Sequence, residues 1–198
     1  EASLSRHTRF LQSIFNSLSS VHDYYDECLA PLIRKDIKVL DAGCGKKGIM
    51  NKYRGKTAYT VGMDMQLSAI KQNAAMAYKV VSGVYSIPFK EATFDVIVSQ
   101  WVVEHLSEPK TAFGEFRRVL KDNGSLILVT NSIYNPLMFF NAVMPEGIRD
   151  RIKKRALPPE IEEDTFPTYY KCNSVGKIDN ALRELGFEKR FASYVGDP

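Results

Sequence analysis

VLDAGCGKKG, Val39 to Gly48, is the stretch that decides how this chain is read. A short apolar run ends in an acid, and Gly43, Gly45 and Gly48 then spell G-x-G-x-x-G. An apolar run closed by glycine is the pattern of a buried parallel strand entering a tight turn. Glycine lets the backbone bend there and approach a ligand with no Cβ in the way. In open α/β sheets ligands sit at such turns, beyond the carboxyl ends of the strands. The glycines alone suit any adenosine-containing ligand, dinucleotides included. Asp41 discriminates. A pyrophosphate seeks N–H donors at a helix start and is repelled by a carboxylate, whereas an ammonium group is drawn to one. The plainer reading makes Asp41 a turn former bonded to its own loop.

Outward from this turn the apolar pattern alternates. IKVLDAG (37–43), YTVGMD (59–64), KVVS (79–82), FDVIVS (94–99) and SLILVT (125–130) read as strands. LSAIKQNAAMAYK (67–79), SEPKTAFGEFRRVLK (107–121) and SVGKIDNALRELG (174–186) read as helices. Ser107 is the expected N-cap of the second, Pro109 suits its first turn, and the turn KDNG ends it. Strands alternating with helices require right-handed crossovers, so the expected fold is α/β, a Rossmann-like three-layer αβα sandwich with a mostly parallel central sheet. Four regions are expected: an N-terminal helical cap (1–33), a cofactor-binding core (34–130), an acceptor-side lid (131–173), and a C-terminal helix and strand (174–198) completing the same domain. The cap rests on Leu11, Ile14, Phe15 and Leu18 at helical spacing, then on Tyr24, Tyr25, Cys28 and Leu29.

Bulk properties set limits. A chain of 198 residues, 44% apolar and 25% charged, is an ordinary single domain with room for a core. Its net charge of +4 neither requires nor excludes a nucleic-acid partner, and none is expected. Three scattered cysteines argue for a reducing, cytoplasmic setting rather than a disulfide framework. His7, His22 and His105 stand apart, and no C-x-x-C pair is present, so no metal is expected. No apolar run approaches the ~20 residues that cross a bilayer, and the opening EASLSRHTRF is not a signal peptide.

Asp64, roughly 20 residues past the glycines at the end of the second strand, is placed to accept hydrogen bonds from both ribose hydroxyls. With these residues the chain resembles the class I S-adenosylmethionine-dependent methyltransferases, particularly their small-molecule branch. Four stretches carry the likeness across roughly 37–130: VLDAGCGKKG, VGMD, SIPFKEATFDVIVSQWVVEHL (86–106) and EFRRVLKDNGSLILVT (115–130). The resemblance implies S-adenosyl-L-methionine as cofactor. Asp41, Gly43, Cys44 and Gly45 would line its methionine end, Asp64 would hold the ribose, and Met65 would pack on the adenine. Relatives often place an Asp five residues before the Pro of the third motif. Here that residue is Gly83, which leaves adenine recognition to the backbone around Val84 and Tyr85, or to Ser86. Ser99 and Gln100, leaving the fourth strand, would approach the methyl-donating end.

Methyl transfer is an in-line displacement, for which alignment supplies on the order of 7–11 kcal/mol. A general base matters when the acceptor is an alcohol or phenol. His105 is the one histidine in the region, either as that base or, with Glu104, as an anchor of the loop beneath the cofactor. Trp101 reads as substrate wall or core, and Cys44 as loop packing rather than a nucleophile. SQWV replaces the Asn/Asp-Pro-Pro-aromatic run of amino-methylating DNA enzymes. Arginine-modifying enzymes need two glutamates where Glu104 stands alone, and metal-dependent catechol enzymes need carboxylates where Ser99 and Gln100 stand. A small-molecule or lipid- or glycan-linked acceptor is left. FPTYY (166–170) and the helix after it look similar to bacterial methyltransferases of envelope-glycan or lipid pathways, with Tyr169 and Tyr170 as aromatic wall or core. NPLMFFNAVMP beside RDRIKKR reads as a lid over the acceptor rather than a membrane-surface flap. The chain is expected to lack the last antiparallel strand of the family sheet after a sixth, FEKRFASYVG (187–196), and the open edge offers a route to a homodimer. The rival readings are a catalytically idle methyltransferase-like module and an NAD-dependent oxidoreductase.

Overall fold

Five strands, β1 (Lys38–Ala42), β2 (Tyr59–Asp64), β3 (Tyr78–Val81), β4 (Phe94–Gln100) and β5 (Leu120–Val129), form one sheet in the order β3-β2-β1-β4-β5. The computed structural model describes residues 23–74, 76–134, 144–145, 147–148, 151, 166–190 and 192. Every pairing among these strands is parallel. The chain steps outward from β1 through β2 to β3, then crosses back over β1 to lay down β4 and β5. The reversal puts the switch point at the carboxyl ends of β1 and β4.

Alternation along the strands sorts the core into two layers. Leu40, Ala42, Val61, Met63 and Ile97 face Phe113, Phe116 and Val119 of α3 (Pro109–Val119) and Ala181 of α4 (Val175–Arg183). Val39, Val96 and Val98 face the other way, toward Tyr25 and Leu29 of the helical stretch 23–29 (α1) and Ile70 of α2 (Leu67–Gln72). Burying a side chain the size of Phe113 or Leu29 contributes about 1.5–3 kcal/mol, so both faces of the sheet are anchored independently. The αβα sandwich and parallel sheet read from the sequence are present.

Local differences have local causes. α3 begins after Glu108, not Ser107, and no side chain of its own chain segment caps it. The Tyr85 hydroxyl instead fixes the segment leading into the helix, accepting the amides of Ser107 at 2.7 Å and Glu108 at 3.3 Å. α2 stops at Gln72, well short of the expected Lys79, because Asn73 and Met76 turn inward and are buried. Leu120 to Val129 form one strand, although KDNG reads as a turn before it. Phe94 pairs with Leu120 and Val96 with Ser125, so Lys121 to Gly124 bulge out of the ladder with Asn123 at φ 63°. α4 starts as expected, with Ser174 Oγ accepting the Lys177 amide at 3.4 Å.

Residues 187–190 are irregular, and the rest of the expected sixth strand, Ala192 apart, lies outside the described residues. So do Leu11, Ile14, Phe15 and Leu18 of the expected cap and most of NPLMFFNAVMP and RDRIKKR. Among the described residues no helix is long and apolar enough to cross a membrane, and no cluster of metal-ligating side chains occurs.

Candidate functional site

The sheet register gathers the predicted residues at one end of one face. Asp41 pairs with Gly62 on one side and Val98 on the other, so its side chain points to the α1 face, as do Asp64 and Gln100 further along their strands. Ser99 and Ala42 face the opposite layer. There the Ser99 hydroxyl donates to the Ala42 carbonyl at 2.9 Å and is fully buried, holding β4 against β1.

Glycine is required twice in the turn. Gly43 sits at φ 81° and a Cβ there would collide with Val102; Gly45 sits at φ 51°. The turn's amides point inward. Gly43 and Cys44 donate to the Met63 carbonyl at 2.7 and 3.1 Å, and Gly45 donates to Asp64 Oδ2 at 2.9 Å. Behind the loop, fully buried Asn73 donates to the carbonyls of Cys44 (3.4 Å) and Gly45 (3.0 Å). After Gly48 the chain enters a short 3-10 turn, Ile49–Tyr53, not an α-helix. Three consecutive amides are thus spent within the protein and no α-helix start faces the turn, so a pyrophosphate has no cradle here.

Asp41 is 3% exposed and its Oδ2 has no hydrogen-bond partner among the described residues. Burial pushes its pKa up to about 7, partly opposed by the Met50 amide, with the Asp64 charge adding to the rise. Two donors on the same face are also buried and unpartnered: the Tyr25 hydroxyl and Gln100 Nε2. A buried polar group left without a partner costs about 1–3 kcal/mol. The Asp64 carboxylate accepts from Gly45 and, at 2.9 Å, from the Gln66 amide, and each oxygen keeps a further lone pair. Beside it Met65 is 61% exposed and lies next to Gly83, whose missing side chain leaves its flank open. Val84 is buried, and the Tyr85 hydroxyl is spent on the segment leading into α3. Cys44 is buried, with its thiol pushed up to about 12 by burial and by Asp41 and Asp64, so it is no nucleophile.

Trp101, at the exit of β4, is partly buried and holds φ 57°, a left-handed conformation costly for a bulky side chain. Glu104 and His105 follow in a 3-10 turn, Val103–His105. The buried Glu104 carboxylate accepts from Thr130 Oγ1 (2.7 Å) and Asn131 Nδ2 (3.1 Å), and burial raises its pKa. Its backbone carbonyl accepts the amides of Tyr169 and Tyr170. His105 Nδ1 lies 2.9 Å from the Pro167 carbonyl and its ring packs edge-on against Phe166. A carbonyl only accepts, so Nδ1 carries a proton and donates to it. Asn173 Nδ2 closes the network onto Thr130 and Asn131. Tyr169 is half exposed, whereas Tyr170 is buried.

Sequence reasoning missed Tyr25, Asn73, Asn173 and the Glu115–Arg118 pair as site-building residues. Glu115 takes the Ile87 amide and Arg118 the Ile87 and Phe89 carbonyls, fixing the segment after Val84. Only Asn73 left a signal, a poor helix former inside an otherwise helical run.

These groups fit S-adenosylmethionine: an unpartnered buried carboxylate for its ammonium, lone pairs on Asp64 for ribose hydroxyls, and exposed Met65 for adenine.

Residues 40–128 match the family model described as a methyltransferase domain. An uncharacterised protein of Methanocaldococcus jannaschii is 33% identical over 125 residues, covering 59% of this chain and 53% of its own. A malonyl-[acyl-carrier protein] O-methyltransferase of Enterobacter lignolyticus is 34% identical over 101 residues, 49% of this chain and 40% of its own. The chain thus spans about half the length of these curated relatives or less. Among solved structures, a SAM-dependent methyltransferase from Aquifex aeolicus superposes with a TM-score of 0.60 at 18% identity, covering 87% of this chain and 84% of that one. The match over residues 40–128 makes this stretch similar to the methyltransferase domain family, and the chain shares its fold with the S-adenosylmethionine-dependent methyltransferase on which it superposes.

Proposed function

We propose that the chain transfers a methyl group from S-adenosylmethionine to a small-molecule or lipid- or glycan-linked acceptor by in-line displacement. The observation that carries the reading is Asp41 Oδ2, buried and unpartnered beside a turn whose amides are already used. When bound, the sulfonium supplies an activated methyl carbon. The chain's own residues bind, orient and exclude water. Asp41 holds the ammonium, the Gly43–Gly45 turn brings the backbone close, and Asp64 holds the ribose. Met65 and the backbone at Val84 and Tyr85 take the adenine. Gln100 faces the donor end, while Ser99 keeps β4 in register beneath it.

The acceptor side is built by 131–173, which acts as the lid of the core 34–130 under the N-terminal cap 1–33, with 174–198 completing the domain. Half-exposed Tyr169 supplies an aromatic wall, and His105 anchors the segment that carries it. Methylation of an oxygen atom is favoured by the likeness to the malonyl-[acyl-carrier protein] O-methyltransferase and to a ubiquinone biosynthesis O-methyltransferase of Alkalilimnicola ehrlichii. On this reading the protein works in the cytoplasm, without metal or nucleic acid, and the edges of the described sheet, β3 and β5, offer a route to a homodimer.

Melting curves with adenosylmethionine, adenosylhomocysteine, NAD and NADP test the cofactor. A ligand at ~100 times its Kd adds about 2.7 kcal/mol. A stabilisation by the nicotinamide compounds and not by the sulfur compounds overturns the reading. Release of adenosylhomocysteine over a panel of phenols, acyl-thioester acids and lipid-linked glycans tests turnover; its absence throughout favours the idle module.

A further inference from the structure

We propose that Tyr25 and Gln100 are specificity-determining residues which, with Asp41, form a clasp for an α-amino-acid zwitterion: Asp41 takes the ammonium, and the Tyr25 hydroxyl and Gln100 amide donate to the carboxylate. The proposal rests on the cofactor reading above and deepens it, because it states which end of the ligand the protein selects.

Five side-chain polar atoms among the described residues are buried with no partner, and three belong to this set: Tyr25 Oη, Asp41 Oδ2 and Gln100 Nε2. They come from α1, β1 and β4, distant in sequence, and meet on one face of the sheet. Asp41 and Gln100 share that face by register, since Asp41 pairs with Val98 two residues before Gln100. Tyr25 belongs to the same apolar layer, packed with Val39, Val96 and Val98. Burial holds the Tyr25 hydroxyl's pKa well above its ordinary value, and the nearby Asp41 charge adds to the rise.

Tyr25 and Asp41 are complementary and electrostatically coupled, yet they do not bond to each other. A group that belongs between them accounts for this better than packing does. The chemistry of the set is mixed: one anionic acceptor and two neutral donors. A lone ammonium would leave the donors unused, and a lone carboxylate would be repelled by Asp41. A molecule carrying both satisfies all three atoms. Tyr25 reaches this place from the N-terminal side of the chain, so α1 roofs the amino-acid end and contributes to recognition rather than only covering the sheet.

Calorimetric titration of the full chain with adenosylhomocysteine and with 5′-methylthioadenosine, which lacks the amino-acid end, tests the clasp. The wild type binds adenosylhomocysteine more tightly. Tyr25→Phe loses about tenfold for adenosylhomocysteine, the worth of one hydrogen bond to a charged group, and nothing for methylthioadenosine. Ligand-free Tyr25→Phe melts no lower than wild type, since an unpartnered hydroxyl has been removed. Gln100→Leu gives the same ligand pattern and serves should Tyr25→Phe fail to fold. Equal losses for both ligands, or no loss for either, overturn the clasp, and equal wild-type affinities overturn it while leaving the adenosyl site in place. Failure of wild type to bind either compound overturns the cofactor reading as well.

Discussion

Gly48 and Asp41 share one volume: a Cβ on residue 48 would overlap Asp41 Oδ2. The third glycine of the turn therefore serves the carboxylate beneath it and not a ligand above it. Its φ of −75° is open to any residue, so the requirement is space alone.

Gly48→Ala is expected to push the carboxylate aside and cost about 1–3 kcal/mol, as overpacking does. Gly114→Ala is the opposite case. That glycine lies inside α3 with nothing within 4 Å of an added Cβ, so alanine there gains about 0.5–1 kcal/mol of helix stability. Urea melts of the two variants should move in opposite directions; a neutral Gly48→Ala removes the shared-volume account.

Asp41 makes ligand-free stability depend on pH. Its folded pKa, about 7, lies above the ordinary value of 3.8, so the folded state holds a proton that the unfolded chain has released between those limits. The stability it contributes is full below pH ~4 and is lost as pH rises to ~7, a change on the order of 4 kcal/mol. Asp41→Asn lacks this dependence. Across pH 4–8, wild type should lose stability relative to the variant, and binding of adenosylhomocysteine should strengthen toward pH 8 as the carboxylate ionises. Parallel pH curves for the two proteins would falsify the assignment.

Asn73 braces the glycine turn from below through two backbone carbonyls. Asn73→Ala strands them in the core and should cost about 1–3 kcal/mol. Asn73→Asp should be worse, since it faces those carbonyls with a charge. Differential scanning calorimetry ranks the three proteins, and Asp equal to Ala would show that the site is wet.

β1, β2 and β4 were legible because each is a short run buried at its centre on both faces, and Asp41 and Asp64 because they stand at the carboxyl ends of two of them. Position in a strand fixes both the end and the face on which a side chain emerges, so the glycine turn and both acids could be placed without coordinates. Tyr25 and Asn173 were not legible, since the residues beside them lie far away in sequence and only the tertiary fold brings them together. The length of α2 failed for a related reason: LSAIKQNAAMAYK has helical composition, but Met76 is needed in the space that Gly62 leaves, 2.6 Å from where a Cβ would stand. Tertiary packing overrode propensity there. The same holds for Ser107, which is not the N-cap and whose amide is held by a tyrosine hydroxyl from another loop.

His105 separates an anchor from a base. Its Nδ1–H holds the Pro167 carbonyl, and next to it Glu104 holds the amides of Tyr169 and Tyr170. As an anchor, His105→Ala should release residues 166–173, speeding amide exchange at Tyr169 and Tyr170 by about tenfold for one lost hydrogen bond, while amides of β1 keep their protection. Asparagine retains an N–H near the place of Nδ1 but has no basic nitrogen. His105→Asn should therefore restore slow exchange, and with it turnover of whichever acceptor the panel identifies. Restored exchange with turnover still lost by about 10²-fold or more would instead assign Nε2 to proton removal.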